Sequence, residues 1–236
     1  VTTMLANELA EANGLQLIQV QHHHAHAASL MMEHSLDEII AIVCDGYGYG
    51  LGGDAWGGEI LFSTRASAEF KRLAHLEKQP LLGGDAATRF PMRVTAAILN
   101  KKVNIKDWLM HNSSRLPHGE TEARLILNQL QKGVYLSETT SCGRVLDAVA
   151  ALLGICYERS FEGEPAMKLE SVADRGRDKL RMKPIITGNV LETTSLLQTI
   201  FENIQSVPMA DLAYFAHTYL ARGLASLAIE KAQETG

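Results

Sequence analysis

Four histidines stand within the five residues His22–His26, in the stretch VQHHHAHAAS, and an aspartate, Asp45, follows nineteen positions after the last of them. Imidazole and carboxylate are the side chains that ligate a borderline divalent ion. Residues four apart face the same way on a helix, so His22 and His26 have the spacing by which two imidazoles hold one metal. His23 and His24 then point elsewhere, either as partners behind the ligands or as surface residues. Asp45 ends the apolar run Ile39–Cys44 and is the candidate third ligand, because the carboxyl ends of buried strands are where α/β sheets gather their ligands. The plainer alternatives are a run of surface histidines and a turn-capping aspartate before Gly46. Gly46, Gly48, Gly50, Gly52 and Gly53 follow at once, then Gly57 and Gly58. Glycines let backbone N–H groups approach an anion, so the pattern suggests a metal ion beside a phosphate chain.

The elements that position these residues follow from pattern. Leu15–Val20 has the branched, alternating character of a strand, and Ala25–Glu33 is rich in helix formers. With a strand over Glu38–Cys44 they make a β–α–β passage after an opening helix, Thr2–Asn13. The glycine run leads into another strand, Glu59–Thr64, rather than into a helix, which argues against a Rossmann loop. A further strand, Ala68–Leu76, completes a small meander. Helices are expected at Asp85–Leu99 with a break at Pro91, at Glu120–Gln131, Gly143–Leu153 and Pro165–Asp174, and finally at Ala210–Gln233. The Gly143 helix has an apolar stripe of Leu146, Val149, Ala150 and Leu153, with Arg144 and Asp147 on another side. The last helix has Leu212, Phe215, Ala216, Tyr219, Leu220, Gly223 and Leu227, with Gly223 suited to close packing and His217 read as structural. Arg175–Lys183 reads as a solvated basic connection. The first lobe is expected to end near Ser35–Asp37, giving segments 1–36 and 37–236.

The chain has 236 residues, 46% hydrophobic and 21% charged, long enough for a substantial core. A net charge of −5 argues against a nucleic-acid surface as its main business. Cys44, Cys142 and Cys156 form no C-x-x-C pair, and neither a signal peptide nor a membrane-spanning run stands out; a cytoplasmic location fits.

Taken in order, HHHAH at His22–His26, DGYGYG at Asp45–Gly50 and WGGE at Trp56–Glu59 resemble the carboxy-terminal domain of the HypF-type carbamoyltransferases of hydrogenase maturation. Gly83-Gly84-Asp85 with Phe90-Pro91-Met92-Arg93, the stretch Thr140–Gly154 and the stretch Phe161–Glu170 extend the likeness, which is weakest over Asn100–Ser137 and Arg175–Pro208. The resemblance implies an actin-like, sugar-kinase-like ATPase (ASKHA) fold, an α/β class shared with the tRNA threonylcarbamoyltransferase TsaD. It implies a divalent metal, zinc or iron, on His22, His26 and Asp45, and a carbamoyl-adenylate made upstream from carbamoyl phosphate and ATP. Carbamoyl would pass to the terminal cysteine of a HypE-type partner, releasing AMP, on the way to the cyanide ligands of a nickel–iron hydrogenase. Gly46, Gly48 and Gly50 would hold phosphate, Asp147 the ribose hydroxyls, and Glu162 with Gly163 the nucleoside side. Threonylcarbamoyl transfer to tRNA, O-carbamoylation of a small molecule, and a non-catalytic metal- or nucleotide-binding scaffold are the competing readings.

The chain departs from the family pattern in two ways. Gly52 stands where the family has an acidic residue, with Asp54 the nearest substitute. The chain also opens past the family's first strands and closes before its S-G-G-V-x-x-N segment, so it is expected to be a fragment truncated at both ends.

Overall fold

Where the apolar run meets the glycine run, the chain makes one long hairpin. In the computed structural model, which describes residues 2–66, 69–134 and 137–235, β1 (Glu38–Tyr49) and β2 (Ala55–Thr64) pair antiparallel from Glu38↔Thr64 to Tyr49↔Ala55. β1 runs on past Cys44, its expected end, and takes Gly46 and Gly48 into the strand. β2 likewise begins at Ala55 rather than Glu59, so the connecting turn shrinks to Gly50–Asp54. β3 (Phe70–Leu76) completes the expected meander on β2, and Ala68 lies outside the described residues.

Short strands widen the sheet: β4 (Gln79–Leu81), β5 (Ser137–Thr139), β6 (Ile186–Thr187) and β7 (Val190–Leu191). The strand order is β4-β5-β2-β3-β7-β6, with β1 paired to β2. Leu15–Val20 is not a strand. Every strand of the sheet lies later in the chain and none comes alongside, so this segment has no ladder to satisfy its backbone.

Helices α1 (Thr2–Asn13) and α2 (His22–Glu33) precede the sheet. The expected break at Pro91 separates α3 (Asp85–Arg89) from α4 (Met92–Leu99), since proline has no N–H to continue the turn. α5 (Lys106–His111), α6 (Gly119–Lys132), α7 (Cys142–Leu152) and α8 (Glu164–Ala173) follow, then α9 (Thr193–Asn203) and α10 (Met209–Thr235). The α7 stripe buries Val149, Ala150 and Leu153, and α10 buries all seven expected positions. A Cβ on Gly223 would run into the Leu191 side chain of β7, so the expected close approach is of helix to sheet.

The basic segment before α10 is less solvated than its composition suggests. Asp211 on α10 accepts from the Arg177 N–H at 2.9 Å and pairs with Lys179 at 2.7 Å, while Leu180 and Met182 pack against the core.

The main core lies between the sheet and α4, α7, α9 and α10. A second, small cluster of Ala27, Ala41, Val43 and Leu61 seats α2 on the opposite face of the hairpin. Together these two layers bring the histidine helix and the amino end of α7 to the same end of β1. Among the described residues no helix is long and apolar enough to cross a membrane.

Candidate metal centre

The β1–β2 ladder breaks once, between Cys44↔Gly58 and Gly48↔Trp56. Three residues, Asp45, Gly46 and Tyr47, therefore bulge opposite Gly57 alone. A bulge of this kind re-aims side chains and releases backbone groups from the ladder. Here the released N–H groups of Gly46 and Tyr47 turn back on Asp45 Oδ1, at 2.6 and 3.4 Å. The released carbonyls of Asp45 and Gly46 both lie 2.8 Å from the Ser141 hydroxyl, which donates to them. Ser141 is also the N-cap of α7, accepting from the Arg144 N–H at 3.1 Å. Glycine at 57 is required, because a Cβ there would run into the Asp45 carbonyl; one on Gly143 would lie 2.9 Å from Gly46 Cα.

On the other side, α2 starts at His22 and presents His22 and His26 toward the bulge. His22 Nε2 lies 2.7 Å from Asp45 Oδ2, and His26 Nε2 lies 3.3 Å from His22 Nε2. The ligand atoms of His22, His26 and Asp45 all fall within 4.8 Å of one another. Two imidazole nitrogens and one carboxylate oxygen, converging on one point and open to solvent, fit a zinc- or iron-type donor set that leaves a position for a further ligand. Partial burial pushes the Asp45 carboxyl up, but the hydrogen bonds from His22 and from the Gly46 and Tyr47 amides outweigh it. The group is held below its ordinary range and stays ionised, as a ligand must.

The backbone groups of these glycines have partners within the hairpin itself. The Gly46 amide serves Asp45, the Gly50 amide donates to the Asp54 carbonyl at 2.9 Å, and Gly48 pairs with Trp56 in the ladder. What glycine supplies is room. A Cβ on Gly48 would meet the rings of His23 and His22, and one on Gly50 would meet the Trp56 indole. Asp54, the acid nearest Gly52, pairs with Lys78.

Asp147 lies one turn into α7, buried, with Arg144 NH2 2.8 Å from its Oδ2. The pairing with Arg144 is what the structure shows. Neither Asp147 oxygen gains a hydrogen bond from it, and burial pushes the carboxyl up to about 6 against the opposing pull of Arg144 and Arg159. Glu162 is exposed and Gly163, left-handed at φ 78°, caps α8. Glu162 helps line an open cavity of about 580 Å³ with Arg89, Glu158, Arg159, Ser160 and Phe161.

Sequence reasoning missed three supports. Gln21 caps α2 although glutamine is not among the preferred capping residues. Ser141 sits two residues before the expected helix and looked like part of its approach. Glu59 is fully buried: its Oε1 accepts the Gly57 and Gly58 N–H groups and the Thr140 hydroxyl, and its Oε2 takes Arg72 at 2.6 Å. Arg72 stacks on the Trp56 indole at 4.2 Å, and Trp56 lies 5.8 Å from His23.

Comparison with known proteins gives this geometry its family. Residues 41–236 match the family described as carbamoyltransferase, Kae1-like domain, second subdomain, and residues 1–33 match the HypF Kae1-like domain. The chain is 42% identical to the probable carbamoyltransferase HypF of Methanocaldococcus jannaschii, over 96% of this chain and 30% of that protein. It is 34% identical to the carbamoyltransferase HypF homolog of Cupriavidus necator, over 100% of this chain and 61% of that one. The crystal structure of T. kodakarensis HypF superposes with a TM-score of 0.90 at 43% identity, covering 100% of this chain and 32% of that one. A full-length HypF in its phosphate- and nucleotide-bound form superposes at 0.84 and 32% identity, covering 98% and 30%. The chain thus spans less than two thirds of the length of each of these relatives. Its architecture is that of their Kae1-like domains, the ASKHA type. With two family models, close sequence relatives and a matching fold in agreement, the chain belongs to the HypF carbamoyltransferase family, an enzyme family, within its Kae1-like domain.

Proposed function

We propose that this chain is the transferase domain that binds a nucleotide-activated carbamoyl group and passes it to a protein thiol in hydrogenase maturation. The observation that carries the reading is the convergence of His22, His26 and Asp45 beside the amino end of α7. A divalent ion held by those three residues supplies a Lewis acid for phosphate or carbamoyl oxygen. The positive end of the α7 dipole favours an anion over the Asp45–Gly46 bulge. The nucleoside then lies toward Glu162 and Gly163, where the cavity has the size of a small-molecule site. Asp147 takes the ribose hydroxyls by exchanging Arg144 for the sugar.

The acceptor thiolate attacks the carbamoyl carbon, a C–S bond forms, and the bond to the phosphate oxygen breaks with its electron pair leaving on AMP. The nucleophile comes from a HypE-type partner. The solved nucleotide-bound HypF supports the nucleotide half of this reading.

Labelled carbamoyl transfer is the test, with the upstream adenylate-forming domain, ATP and the acceptor protein supplied. The wild type should hold stoichiometric metal and label the acceptor cysteine. The His22→Ala/His26→Ala double variant should keep its circular dichroism, lose the metal and label nothing. Equal labelling by both would remove the metal centre from the function, and labelling of tRNA or a sugar instead would reassign the acceptor.

A further inference from the structure

His23 is fully buried, edge-on to His22 with ring centroids 5.2 Å apart, in the room left by Gly48. Gln21 determines where its proton sits. Gln21 Oε1 accepts the His24 N–H at 2.8 Å, which fixes the end of the amide that is oxygen. The Gln21 amide nitrogen lies 2.9 Å from the Tyr49 carbonyl oxygen and 2.9 Å from His23 Nδ1. An amide NH2 only donates, so both of its hydrogens are used and Nδ1 is the acceptor. A neutral His23 therefore carries its proton on Nε2. That atom has no hydrogen-bond partner and stands 4.0 Å from Asp45 Oδ2.

The carboxylate needs such a donor. Asp45 Oδ1 is held by two backbone amides, whereas among the described residues Oδ2 is held only by His22 Nε2. A ligating nitrogen carries no proton, so His22 cannot bind an ion through Nε2 and still donate to Oδ2. Once His22 serves a metal, the Nε2–H of His23 is the donor that remains on that side.

We propose that His23 is a positioning residue whose tautomer is set by Gln21, and that its buried Nε2–H steadies Asp45 Oδ2 for the ion shared with His22 and His26. This rests on the metal-centre reading above. Groups that orient ligands in this way change metal affinity by about 10–100-fold when removed.

Long-range ¹H–¹⁵N correlation on the metal-free protein reads the His23 tautomer, and zinc titration reads the affinity. The wild type should show Nε2–H. Gln21→Glu keeps an oxygen for the His24 N–H but offers only acceptors to His23, so it should move the proton to Nδ1. Zinc affinity should fall about 10–100-fold while circular dichroism is preserved. A wild type with the proton on Nδ1, or a Gln21→Glu protein with a switched tautomer and unchanged affinity, overturns the inference. A wild type showing Nε2–H that binds no zinc overturns the metal centre itself, and the positioning role with it. The wild-type spectrum alone is decisive should the variant not fold.

Discussion

Asp45 and Asp147 lie on either side of the α7 amino end and are treated in opposite ways. Asp45 collects two amides and an imidazole and is held low; Asp147 is buried beside Arg144 and is pushed up to about 6. A carboxyl that binds its proton more readily folded than unfolded favours the fold only at low pH. Its contribution is fully present below about pH 4, the unfolded value, and is lost as pH rises through about 6. The displacement corresponds to about 3 kcal/mol. Urea unfolding of wild type and Asp147→Asn at pH 4.5 and 7 should show the variant gaining on the wild type as pH rises; a pH-independent difference would mean that Arg144 neutralises the burial. The convergence of the three candidate ligands was legible, His22 and His26 by side-chain type and helical spacing, Asp45 by side-chain type and its place at the end of an apolar run. Gln21 was not, since its role depends on Tyr49, reached only when the hairpin folds back.

At the scale of elements, the ladder break at Asp45–Tyr47 is what turns a hairpin into a site. Gly57→Ala drives a methyl group into the Asp45 carbonyl, and overpacking of that kind costs about 1–3 kcal/mol. Its zinc affinity should fall with the stability, whereas Gly52→Ala, facing open space, should bind zinc normally despite the strain of its positive φ; equal zinc binding by Gly57→Ala would remove the bulge from the site. Glu59→Ala leaves Arg72 without its buried partner and should cost about 3 kcal/mol, read as a lowered denaturant midpoint. The long periodic helices were legible, because their apolar stripes are intrinsic to the sequence. The strands from β4 to β7 were not: two or three residues carry no periodicity, and their existence depends on neighbours far along the chain. Leu15–Val20 shows the converse, a strand-like composition that finds no partner.

At the scale of the molecule, cohesion is uneven. α4, α7, α9 and α10 share one large core, whereas α2 rests on the small cluster around Ala27 and α1 leaves Met4, Leu5 and Leu9 exposed. Regions with few buried contacts open at lower free energy. Amide exchange should therefore be faster over α1 and α2 than over α7 and α10, and added zinc should slow it in α2; uniform protection would show the histidine helix to be part of the main cooperative unit. The ASKHA class was legible only through ordered motifs, since composition and periodicity state an α/β domain and no more.

The ladder break also has a parity. Between its two flanking pairs β1 takes four steps and β2 takes two, so the insertion is even. Strict alternation of faces would return Gly48 to the side of Gly46, which faces Arg144 of α7, yet a Cβ on Gly48 would meet the His22 and His23 rings of α2, so the bulge turns the strand over. The hairpin tip therefore shows α2 the side that an unbroken strand would show α7, and trimming the bulge would withdraw from the histidines the glycine face that makes room for them.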